Sequence, residues 1–148
     1  MMHRLIFTGV VGMLASLMGV GPTSAQSIAI AGQTGDGNVP RLMQSDAVNT
    51  AWIGQTGEAN AVSVEQIATS GVNQTTIQQT GTSNGIHLLQ DGSDNSAELI
   101  QIGDGNRMTV LQQGAGNNLT WSQQGQHLAA PTVTMSGGTT MSISQTSW

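Results

Sequence analysis

Residues 95–117 read NSAELIQIGDGNRMTVLQQGAGN, and their spacing decides the fold. Asn95 and Gln101 stand six residues apart, Asn106 and Gln112 repeat that spacing eleven residues later, and Asn117 opens a third unit. Between each Asn and Gln the third and fifth positions are apolar, Ala97 and Leu99 in one unit and Met108 and Val110 in the next. Asn, two apolar residues and Gln therefore form the period-2 set that shares one face of a β-strand. The other face is mixed, as in Arg107, Thr109 and Leu111. Gly103 and Gly114, two places after each Gln, supply the positive-φ corner that a short connection needs.

Working outward, the same unit fills the chain. Gln33, Gln44, Gln55 and Gln66 are spaced by eleven, and after two extra residues so are Gln79, Gln90, Gln101, Gln112, Gln123, Thr134 and Gln145. Six residues before each stands a second polar column: Ser27, Asn38, Asn49, Asn60, Asn73, Asn84, Asn95, Asn106, Asn117, Leu128 and Thr139. Alternate connections match best, QTGDGN at 33, QTGEAN at 55, QTGTSN at 79 and QIGDGN at 101, so the period is 22 in two similar halves. The expected turn glycines are Gly35, Gly57, Gly81, Gly103, Gly114 and Gly125.

Two seven-residue strands close a core by folding over one another and stacking each coil on the next at about 4.8 Å. The expected fold is all-β, a β-solenoid of strand-turn-strand coils with about five 22-residue repeats. An inward amide at each corner is costly alone. Stacked on its equivalent in the next coil, it donates one way and accepts the other, and it pins register, because a one-residue slip turns every amide outward. The two extra residues between Gln66 and Asn73 fit a connection outside this ladder.

Composition agrees. Only 7% of residues are charged, against roughly 25% in ordinary soluble proteins, while Gln and Asn are abundant. A disordered chain of the same composition would not hold amides in register over eleven units. The absence of Cys excludes disulfides and thiolate metal sites. Met1 to Ala25 has an early Arg4, an apolar run from Leu5 to Val20 and the small pair Thr23 and Ala25, and so reads as a signal peptide cleaved after Ala25, with a solenoid domain over 26–148. Beyond it two Arg (Arg41, Arg107) face eight acids, a net charge of 2 − 8 = −6, which makes nucleic acid an unsuitable partner.

The motif Ser27-x5-Gln33-x-Gly35-x2-Asn38-x5-Gln44 and its successors resemble the curlin repeat of curli subunits, the bacterial functional amyloid. The resemblance runs over residues 27 to 145. It implies a secreted subunit of an extracellular fibre serving adhesion and biofilm matrix, with itself and a second curlin-type subunit as partners, exported through an outer-membrane pore with accessory factors. Its columns carry over to Gln33, Gly35, Asn38 and Gln44, and likewise around Gln55, Gln79 and Gln101, and in part to Gln123 and Gly125. The fifth repeat departs, with Leu128 and Thr134 in place of amides and Pro131 on a strand, which favours an edge there.

The polymerisation ladder is thus expected at the columns from Gln33 to Gln123, with strand ends left open for further strands. Acids at the turns (Asp36, Asp46, Glu58, Asp91, Asp94, Asp104) read as solvation or as gatekeepers that delay assembly. No enzyme activity, cofactor or metal is expected: His87 and His127 have no partner at motif spacing, and the GDGN turns lack the ligand count calcium needs. The alternative is a soluble, monomeric β-solenoid that binds carbohydrate or ice. Against an ice face stands the mixed outward column Ile30, Trp52, Thr76, Glu98, Thr120, Ser142. Leu89, Leu111 and Val133 are expected to stack outward on the other sheet.

Overall fold

The computed structural model describes residues 4–8, 16–20 and 27–147, with side chains from 27 to 45 and from 48 to 147. Its strands are β1 (Arg4–Thr8), β2 (Ser16–Val20), β3 (Ile28–Thr34), β4 (Val39–Glu58), β5 (Ala61–Thr82), β6 (Gly85–Ser93), β7 (Ser96–Ile102), β8 (Arg107–Ala115), β9 (Asn118–Gln124), β10 (Val133–Ser136) and β11 (Thr140–Thr146). Every pairing is parallel, because each strand meets its own equivalent one coil later.

Two parallel stacks result. The first holds β1, β3, residues 50–56 of β4, residues 74–80 of β5, β7, β9 and β11. The second holds β2, residues 39–46 of β4, residues 61–68 of β5, β6, β8 and β10. The chain alternates between them, so residues 27–146 form a β-solenoid of about five coils, as the 22-residue period requires. β1 and β2 fall inside the segment read as a signal peptide, and their backbones extend the two stacks by one strand each. The expected cleavage position, Ala25 with Thr23, lies outside the described residues.

The third and fifth positions fill the space between the stacks: Ala51 and Ile53, Val62 and Val64, Ile86 and Leu88, Leu99, Met108, Leu119 and Trp121 belong to one buried cluster. Ala130 packs against the same cluster. One core position is polar. Thr75 is buried, and its hydroxyl accepts from Gln66 Nε2 at 3.2 Å and donates to Gln90 Oε1 at 2.9 Å, so it bridges the amides instead of standing unsatisfied.

Two features differ from the sequence reading. The connections are not free turns but part of the ladder: Thr56, Gly57 and Glu58 pair with Thr80, Gly81 and Thr82, and Gly103 N donates to Thr80 O at 2.9 Å. Corners stacked on like corners satisfy backbone groups that would otherwise be lost. At the long connection, Asp46 pairs with Ala68 and Val48 with Val72, so Thr69 to Gly71 stand where the preceding coil has one residue, and the two surplus residues bulge outward as expected.

The second difference is a correction. Thr134 is not on the Gln column. Arg107 pairs with Ala129, but Val110 pairs with Val133 and Gln112 with Met135, so one residue has been gained between Ala129 and Val133. Met135 is buried, Thr134 is exposed, and Val133 packs against the core instead of outward beside Leu111. Without an amide at 128 or 134 nothing holds the register, and Pro131 has no N–H to keep the ladder. The slip places two apolar residues inside.

Candidate functional site: the amide ladders

Strand alternation points Gln33, Asn38, Gln44, Asn49, Gln55, Asn60, Gln66, Asn73, Gln79, Asn84, Gln90, Asn95, Gln101, Asn106, Gln112, Asn117 and Gln123 into the corners, where none is more than 4% exposed. Such burial is tolerable only with full hydrogen bonding. In the first stack Gln33 Nε2 donates to Gln55 Oε1 at 2.8 Å, Gln55 to Gln79 at 2.9 Å, Gln79 to Gln101 at 2.8 Å, Gln101 to Gln123 at 2.9 Å and Gln123 to Gln145 at 2.7 Å. In the second, Gln44, Gln66 and Gln90 donate in turn to Gln66, Gln90 and Gln112 at 2.7–2.8 Å.

Each ladder glutamine has a second N–H; in Gln33 and Gln55 it turns to the corner carbonyls of Asn38 and Asn60, and in the others it reaches across the coil to a backbone carbonyl of the opposite stack. Gln90 donates to Gln74 O at 3.1 Å, Gln101 to Gly85 O at 3.2 Å and Gln112 to Ser96 O at 2.8 Å. The glutamines therefore tie coil to coil and stack to stack at once, which spacing alone does not reveal.

The asparagines run the other way. Asn60 Nδ2 donates back to Asn38 Oδ1 at 3.0 Å, Asn84 to Asn60 at 3.0 Å, Asn95 to Asn73 at 3.1 Å and Asn117 to Asn95 at 2.9 Å. The same Oδ1 atoms collect the next coil's backbone N–H, as in Asn84 N to Asn60 Oδ1 at 3.1 Å. The other Asn N–H holds the corner, Asn84 Nδ2 donating to Gly103 O at 2.6 Å. Glutamine donors thus point towards the C-terminal end and asparagine donors towards the N-terminal end, so the stack has a chemical polarity.

The ladder frays where the sequence does. Besides its bond to Ser96 O, Gln112 Nε2 meets in the next coil not a glutamine but Met135 Sδ at 3.8 Å, a weak acceptor. Leu128 and Thr139 cannot extend the Asn column, yet their N–H groups still donate to Asn106 Oδ1 and Asn117 Oδ1.

The corner glycines are fixed by contact as well as by φ. Gly81 has φ +117°, and a Cβ there would stand 2.1 Å from Gly103 O. Gly92, not singled out by the repeat, is equivalent on the other side: φ +131°, with a Cβ 2.0 Å from Gly114 O. Its partner Gly114 was the visible signal. Two acids also serve the corners: Asp104 Oδ1 accepts from Thr82 N at 2.7 Å and Asp94 Oδ1 from Val72 N at 3.0 Å. His127 occupies a left-handed corner (φ +53°) and donates its backbone N–H to Asp104 O at 2.8 Å.

Comparison with known proteins adds one finding. A family model for the curlin associated repeat matches residues 73–103 and 92–125. No curated protein and no solved structure matches the chain.

Proposed function

We propose that this curlin-repeat chain is a secreted structural subunit of a curli-like extracellular amyloid fibre, polymerising by templated β-stacking for cell adhesion and biofilm matrix. One observation carries the reading: each buried glutamine donates to its equivalent in the next coil, while asparagines donate back to the preceding coil, so every coil offers the next the same set of donors and acceptors. A ladder of that kind is as well satisfied by another molecule's coil as by its own. An incoming disordered chain pairs a strand with an exposed end and extends the same columns. It would act without enzyme activity or cofactor, with copies of itself and a second curlin-type subunit as partners, and with an outer-membrane curli pore and accessory factors for export.

Incubation of purified protein tests this. Fibres with reflections at about 4.7–4.8 Å and about 10 Å are expected. Protein that stays monomeric favours the second reading, a soluble carbohydrate- or ice-binding solenoid. That reading draws on a shallow groove of about 600 Å³ lined by Arg41, His87 and Arg107 on the second stack.

A further inference from the structure

The two stacks do not end alike. Among the described residues from Ser27 onward the first contains six strand segments and the second five, so the first and last of these segments, β3 and β11, lie on the same stack. The terminal strands of the second are both impaired. At one end Val39 N donates forward to Asn60 O at 2.8 Å. Successive residues of a parallel strand bond alternate neighbours, so position 40 faces the preceding strand, and there Pro40 has no N–H to offer. At the other end β10 carries the bulge at Pro131 and lacks the column amide.

The terminal strands of the first stack, β3 and β11, contain no proline and both carry the column glutamine. Gln33 is 4% exposed and its Oε1 is buried without a hydrogen-bond partner among the described residues. Everywhere later in this column that atom accepts from the preceding glutamine. β1, which occupies the edge of β3 in the full chain, ends at Thr8 opposite Gly32, one residue short of Gln33. At the far end Gln145 accepts from Gln123 at 2.7 Å and from Trp121 Nε1 at 3.3 Å, and its own Nε2 donates to no described residue.

We infer that two copies join through the first stack alone: β11 of one copy takes the place of β1 on β3 of the next, and Gln145 Nε2 donates to Gln33 Oε1. Ser142 then lies beside Ile30, and Met141 and Ile143 stack on the small Ala29 and Ala31, a size match that a close-packed core requires. One strand position stays open in the second stack at each joint, between the edges that Pro131 and Pro40 blunt. This rests on the fibre reading above. The competing geometry is a half-turn between copies, which closes the open position but sets β3 on the bulged β10 and Pro40 on β11.

Cross-linking and fibre geometry separate the two. The chain has no Cys, and neighbouring parallel strands lie within disulfide reach. In assemblies of the exported chain, Ile30→Cys with Ser142→Cys is expected to give ladders of covalent oligomers, and Arg41→Cys with Ser142→Cys to give none. The expected axial rise is six strand spacings, about 29 Å per copy, without a half-turn. Fibres whose copies cross-link through positions 41 and 142, with a rise of about 26 Å and a half-turn, overturn the joint while leaving the fibre reading intact. Failure to form any fibre overturns both.

Discussion

Coil Asn95–Gln112 and the half-coil that follows His127 have the same period in the sequence but not the same structure. In the first, Asn95 and Gln101 lock to their equivalents before and after, and every residue from Ser96 to Ile102 pairs in unbroken register. In the second, the columns fall on Leu128 and Thr134, the strand slips by one residue, and only a lone bridge at Ala129 and the segment Val133–Ser136 pair with β8. Hydrophobic alternation is present in both. The difference teaches that apolar residues make the strand while the amides set its register, since apolar packing tolerates a slip that a buried amide does not.

The largest test of this contrast is at the corners. Gly81→Ala would force a Cβ against the Gly103 carbonyl at a φ of +117°, and a loss of about 4 kcal/mol in guanidinium unfolding is expected. Gly137→Ala, in the degraded region, meets nothing within 4 Å and should cost about 1 kcal/mol. Equal costs would mean that the corners stack no more tightly in the regular coils than at the end.

Next comes the ladder itself. Gln90→Ala leaves Gln66 Nε2, Thr75 Oγ1 and Gln112 Oε1 without their present partner, and a loss of about 3 kcal/mol is expected by the same measurement. The reverse change sharpens the comparison. Met135→Gln offers Gln112 Nε2 a proper acceptor and should gain about 1 kcal/mol. Deleting Pro131 removes the surplus residue, and hydrogen exchange in β10 is expected to slow towards that of β8. An unchanged exchange rate would place the cause of the slip elsewhere than the surplus residue.

The smallest effects concern charge. Asp94→Asn and Asp104→Asn keep an oxygen that can accept from Val72 N and Thr82 N, so stability should change by no more than about 0.5 kcal/mol. If these acids also delay assembly, the lag before thioflavin fluorescence rises should shorten severalfold when Asp91 is neutralised with them. An unchanged lag leaves them as corner acceptors only.

Most of the fold was legible because the repeat is written twice over, in the apolar alternation and in the amide columns. The inward direction of all seventeen ladder residues follows from their even spacing within each seven-residue unit. The bulge at Thr69–Gly71 was legible too, as an insertion between two intact columns. The slip at Pro131 was not, because Thr134 is the right number of residues from Gln112 and nothing local says that Met135 will displace it. The corner roles of Asp94, Asp104 and Gly92 were also hidden, since each acts on a residue about one coil away.

The sequence by itself determined that the chain is a stack of equivalent coils, with which face inward and which residues line the corners, because period 2 and period 22 are both local regularities. Only the tertiary structure decided the direction of each ladder, the second glutamine bond that ties the two stacks together, and the unlike ends of those stacks. These depend on which atom of an amide meets which neighbour, and on which side of a strand a missing N–H falls, and both are settled only when the coils are in place.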